Sequence, residues 1–103
     1  MKFHHVGIPT ELQHDKESFL EGAKVYVTDP ADDTYQIEWL RFLPGSPMPE
    51  QLKTMAHLAF QVDDLAAALA GKHILIEPFS PFEGRQVAFV LHDGVPVEFL
   101  QDN

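Results

Sequence analysis

Short runs of alternating apolar and polar residues recur along this chain, each closed by turn-forming residues. Phe3-His4-His5-Val6-Gly7-Ile8 reads as a strand that stops at Pro9, since proline lacks the amide donor of a ladder and restricts the residue before it. From Thr10 to Phe19 only Leu12 and Phe19 are apolar, a weak pattern that fits a short helix or a loop. Ala23-Lys24-Val25-Tyr26-Val27-Thr28 is β-branched and aromatic, and Asp29-Pro30 with Asp32-Asp33 closes it with turn chemistry. A further alternating strand runs from Thr34 to Phe42. Three prolines then fall within six residues, Pro44, Pro47 and Pro49, and mark a linker.

The second half opens with a strand over Met55–Val62 and continues into Asp63-Asp64-Leu65-Ala66-Ala67-Ala68-Leu69-Ala70-Gly71. An Asp N-cap, an alanine-rich run and a closing glycine predict a short helix. Ile74-Leu75-Ile76 predicts a strand ending before Pro78, and Pro81 and Gly84 mark a loop. Gln86–Leu91 and Val95–Leu100 predict a hairpin about Asp93-Gly94, whose residues suit the positive φ of a tight turn.

Set side by side, the halves repeat. Each opens with His, apolar, small, apolar: His5-Val6-Gly7-Ile8 and His57-Leu58-Ala59-Phe60. Each closes with apolar, Glu, aromatic, Leu: Ile37-Glu38-Trp39-Leu40 and Val97-Glu98-Phe99-Leu100. Module one is placed at 1–43, the linker at 44–53 and module two at 54–103, all within a single domain. Taken singly, each Glu could point to solvent from a wet strand face and each His could be an ordinary core or surface residue. Jointly, two imidazoles and two carboxylates on corresponding strands of a duplicated unit would form an N2O2 ligand set for one divalent ion. Two carboxylates neutralise that ion, whereas without it the like charges repel. His4 falls on the opposite strand face from His5. His14, His73 and His92 lie near turns or in the least regular segment and read as structural or solvated, while Arg41 reads as an ion-pair partner.

Composition narrows the remaining choices. Of 103 residues 45% are hydrophobic and 22% charged, which is an ordinary globular balance, and the length suits one domain. Sixteen acidic against seven basic residues give a formal charge of -9, which disfavours nucleic acid and anionic membrane as partners. No cysteine is present, so thiolate nucleophiles, disulfides and Cys-based metal sites are excluded and any metal must rest on His and carboxylate. No apolar run reaches a membrane-spanning length, and the expected location is cytoplasmic. Phosphate-cradling glycine loops and nucleophile elbows are lacking as well.

These strands and their His and Glu residues make the sequence resemble the vicinal oxygen chelate superfamily, the glyoxalase, bleomycin-resistance and extradiol-dioxygenase fold. The second half carries more of the likeness, through His57–Leu65 and through Arg85–Val90 with Val97–Leu100. In the first half the helix expected after strand one is cut down to Thr10–Glu21. The resemblance implies an α+β fold of two paired βαβββ modules forming a half-open β-barrel cup, with the first module shortened. It places metal ligands on His5, Glu38, His57 and Glu98, and implies Zn, Ni, Co, Mn or Fe as the ion. The activity implied is that of a glyoxalase-like lyase or isomerase acting on a small molecule, the ion chelating substrate oxygens and Glu98 or Glu38 serving as general base. A metal-free small-molecule or drug-binding protein of the bleomycin-resistance type is the alternative, and a structural or regulatory domain without activity is a third. Open strand edges point to a homodimer.

Overall fold

Alternation in the sequence becomes eight strands in the computed structural model, which describes residues 1–103. The strands are β1 (Lys2–Pro9), β2 (Ser18–Leu20), β3 (Val25–Val27), β4 (Ile37–Phe42), β5 (His57–Gln61), β6 (His73–Phe79), β7 (Arg85–His92) and β8 (Val95–Asp102). Two five-residue helices, α1 (Glu50–Thr54) and α2 (Leu65–Leu69), complete an α+β protein. Contacts divide the chain into two compact units, Met1–His4 with His57–Asn103 and His5–Ala56. No helix is long and apolar enough to cross a membrane.

Within the unit containing His57–Asn103 the strands run β5-α2-β6-β7-β8 along the chain and β6-β7-β8-β5 across the sheet. Within His5–Ala56 the order across the sheet is β2-β3-β4-β1. The two orders are the same path. In each, the first strand pairs in parallel with the last, and the last is the antiparallel partner of the one before it. The alignment extends to single residues. Val6, Gly7, Ile8 and Pro9 face Ile37, Glu38, Trp39 and Leu40 across the first parallel pair. Leu58, Ala59, Phe60 and Gln61 face Val97, Glu98, Phe99 and Leu100 across the second. Even the next amides agree, since Thr10 N–H donates to Leu40 O and Val62 N–H to Leu100 O, both at 2.9 Å.

The units differ in what crosses over between the first strand and the rest. In the second half the crossover is α2, opened by Asp64, whose carboxylate accepts from Ala67 N–H at 3.1 Å. Leu65 and Leu69 of α2 pack on Ala88, Val90 and Phe99 of the sheet. In the first half there is no α-helix, and the segment after Pro9 runs as a loop into the short β2. There the His14 ring stacks on Trp39 at 5.3 Å, so a flat ring covers the sheet position matched by Phe99 beneath the helix. Two residues further along the strand, on the same face, a side chain anchors the crossover in both units. Gln101 Oε1 accepts from Leu65 N–H at 2.7 Å. Arg41 donates through Nε (2.9 Å) and Nη2 (2.7 Å) to the two carboxylate oxygens of Glu17. Its guanidinium also lies 4.4 Å above the Tyr26 ring, which makes Arg41 the ion-pair partner its sequence setting indicates.

Two local expectations need correction. β6 continues through Pro78 to Phe79 instead of stopping before it. Proline is tolerated there because β6 is the last strand of its sheet order and its pairing with β7 is irregular around Ile76 and Phe79. The proline-rich segment after Phe42 also carries α1, whose Leu52 is buried. The Asp93-Gly94 turn has φ of 48° and 84°, the left-handed pair that a two-residue hairpin requires.

Candidate metal centre

Alternation and pairing fix which side chains share a face with the candidate donors. In the unit of His57–Asn103, Ala59 lies directly beside Glu98, and His57 precedes Ala59 by two residues on the same face. Ala59 is wholly buried and small, so the Glu98 side chain has room to reach back to the imidazole. His57 Nε2 and Glu98 Oε1 are 3.0 Å apart. Phe89 stands across from Glu98 on β7 and meets the His57 ring edge-to-face, with centroids 5.1 Å apart. The pair is therefore dry, with side-chain exposures of 1% and 10%.

In the unit of His5–Ala56 the same arrangement recurs with different surroundings. Gly7 lies beside Glu38, and His5 Nε2 and Glu38 Oε1 are 3.4 Å apart, with side-chain exposures of 3% and 20%. Two residues past Val27, Asp29 holds the place that corresponds to Phe89. It does not wall the pair, because its carboxylate accepts from Ala31 N–H at 2.9 Å and caps a short 3-10 turn, Pro30–Asp32. Glu38 is accordingly more open and more loosely held than Glu98. Phe89 is one of several aromatic residues, with Trp39, Phe60, Phe79 and Phe82, that the sequence offers as cavity wall or core, and its position opposite Glu98 distinguishes it.

The donor chemistry fits a divalent ion. Imidazole nitrogen and carboxylate oxygen suit borderline to hard cations. With metal–ligand bonds of about 2.1 Å, two adjacent donors of one ion lie roughly 3.0–3.4 Å apart, depending on octahedral or tetrahedral angle. Each pair already has that separation. His5 with Glu38, and His57 with Glu98, each offer one nitrogen and one oxygen donor that could hold a metal ion. Of the other histidines, His14 stacks on Trp39 and His92 is exposed beside Asp93 at 3.8 Å.

The charged pairs away from these donors have their own role. Asp102 accepts from Arg85 Nε at 2.6 Å and Nη2 at 3.1 Å, and this hydrogen bonding, with weaker attraction from His4, holds its carboxyl below the ordinary value of 3.8. A depressed carboxyl stabilises the fold above its unfolded-state value, and that contribution is lost as pH falls through the folded-state value. In urea titrations the stability gap between wild type and Asp102→Asn should therefore be widest above pH 3.8 and close as pH is lowered below it. A gap that does not change with pH would count against the pair.

No protein-family profile and no curated protein matches this sequence. Solved structures do match it. A hypothetical protein from Bacillus halodurans superposes with a TM-score of 0.69 at 18% identity, over 99% of this chain and 94% of that one. Methylmalonyl-CoA epimerase from Mycobacterium tuberculosis also superposes with a TM-score of 0.69, at 19% identity, over 99% of this chain and 88% of the epimerase. The likeness is one of fold. It bears out the α+β architecture of repeated strand units expected from the sequence.

Proposed function

We propose that this protein is a metal-dependent small-molecule enzyme, a lyase or isomerase of glyoxalase-like type, in which His5, Glu38, His57 and Glu98 hold one divalent ion. The observation that carries this reading is the repetition, at matching strand positions, of a buried imidazole in contact with a carboxylate. A single buried His–Glu pair is a common structural device. Two at the same positions of a duplicated fold imply a shared requirement, and burying two carboxylates is favourable when a cation neutralises both. The fold it shares with an epimerase supports a reaction at a carbon acid.

When bound, a divalent ion polarises adjacent substrate oxygens and acidifies the neighbouring C–H. The protein's own groups then divide the work. His5 and His57, both nearly inaccessible, serve as fixed nitrogen donors. Glu98, walled by Phe89 and close to His57, serves as the firm carboxylate. Glu38 is the base, because it has the looser contact and the greater exposure, and so the freedom to take a proton from substrate carbon.

Elemental analysis of the purified protein tests this reading against a His57→Ala/Glu98→Ala variant prepared identically. About one Zn, Ni, Co, Mn or Fe per chain is expected in the wild type and little in the variant. Circular dichroism would establish that the variant is folded. Absence of metal from both proteins, even after reconstitution, would sink the reading in favour of a metal-free small-molecule or drug-binding protein.

A further inference from the structure

The chain carries only seven Lys and Arg residues, and their placement bears on what the proposed site can hold. Strand alternation assigns Gly7, Val27 and Leu40 to the face of His5 and Glu38. It assigns Ala59, Val87, Phe89 and Leu100 to the face of His57 and Glu98. These positions are apolar. The one cationic strand residue on either donor face is Arg85, which shares its face with Val87 and Phe89, and it is engaged by both carboxylate oxygens of Asp102. Arg41 is on the opposite strand face from Glu38 and is engaged by Glu17. Lys2 alternates away from His5, and Lys16, Lys24, Lys53 and Lys72 lie outside the strands.

Phosphate and carboxylate groups are ordinarily gripped by guanidinium forks or lysine ammonium groups, and a chain of formal charge -9 repels what it does not grip. We propose that the site takes a small uncharged compound with two adjacent oxygens and an apolar remainder, and discriminates against substrates carrying anionic handles. This inference rests on the metal-dependent reading above. It sets this chain apart from the methylmalonyl-CoA epimerase whose fold it shares, because a coenzyme A thioester brings several phosphates. The engagement of both arginines by carboxylates carries the argument, since arginine is the side chain best suited to such groups.

Isothermal titration of the metal-loaded protein with two matched chelators tests the inference without relying on turnover. Benzohydroxamate offers two adjacent oxygens and an apolar ring, and 4-carboxybenzohydroxamate adds one negative charge to the same frame. The carboxylated compound is expected to bind at least tenfold more weakly, by about that order of electrostatic discrimination, with the gap narrowing as salt is raised. Equal or tighter binding of the carboxylated compound would overturn the inference, as would a failure of both to bind to protein that holds its metal. Metal content of the same sample separates these outcomes from failure of the underlying reading, in which no metal is present to be chelated.

Discussion

Replacing Glu38 with glutamine is expected to slow exchange of the α-protons of hydroxyacetone in D2O by about 100- to 10,000-fold, the usual contribution of a positioned base. Metal content should remain close to that of the wild type, because the amide retains an oxygen donor at the same place. The same change at Glu98 should show mainly as weaker metal retention, since that carboxylate contacts His57 at 3.0 Å and is walled by Phe89. Proton NMR of the exchange beside metal analysis of each variant separates the two roles. Wild-type exchange in Glu38→Gln, with exchange lost in metal-replete Glu98→Gln, would transfer the role of base to Glu98. The assignment follows from the surroundings of two otherwise matched residues: Asp29 is drawn off to cap a turn where its counterpart Phe89 stays over the sheet.

Leu100→Ala should destabilise the protein by about 2–5 kcal/mol, the range for emptying a closed core position. Leu100 is completely buried, faces Val87 on one side and Gln61 on the other, and shares its strand face with Glu98. Against a total stability of about 5–15 kcal/mol for a domain, that loss would bring the urea midpoint close to the limit of folding. Equilibrium unfolding with an unchanged dependence on urea is the appropriate measurement. A loss below about 1 kcal/mol would mean that the sheet closes over the vacated volume.

The duplication could be read from sequence because its signals are local. His, apolar, small, apolar and apolar, Glu, aromatic, Leu each lie on one strand, and strand alternation alone puts the His and the small residue on one face. That Gly7 and Ala59 would each stand directly beside a glutamate was beyond a strand-by-strand reading, because it depends on pairing over a long separation. The helix α2 was legible from its Asp cap and closing glycine. Its replacement in the first half was not, since nothing local says that His14 will stack on Trp39 or that Glu17 will meet Arg41. Pro78 misled for a related reason. Proline excludes a central strand, and only the sheet order shows that β6 is at the end.

Parallel pairing has a consequence for the order of folding. The β7–β8 hairpin closes through a two-residue turn, but His57 and Glu98 are separated by 41 positions and meet only when β5 joins β8. Loop-closure entropy must be overcome before such a contact forms, so the long-range pairing belongs late in folding. A nascent or partly opened module presents a histidine or a glutamate but not both together. An ion bound through both donors would therefore stabilise the closed state selectively, by a free energy that grows with the logarithm of its free concentration over its dissociation constant. Loading with metal would then slow unfolding more than it speeds refolding, so that the occupied protein persists where the bare chain opens and is lost to proteolysis.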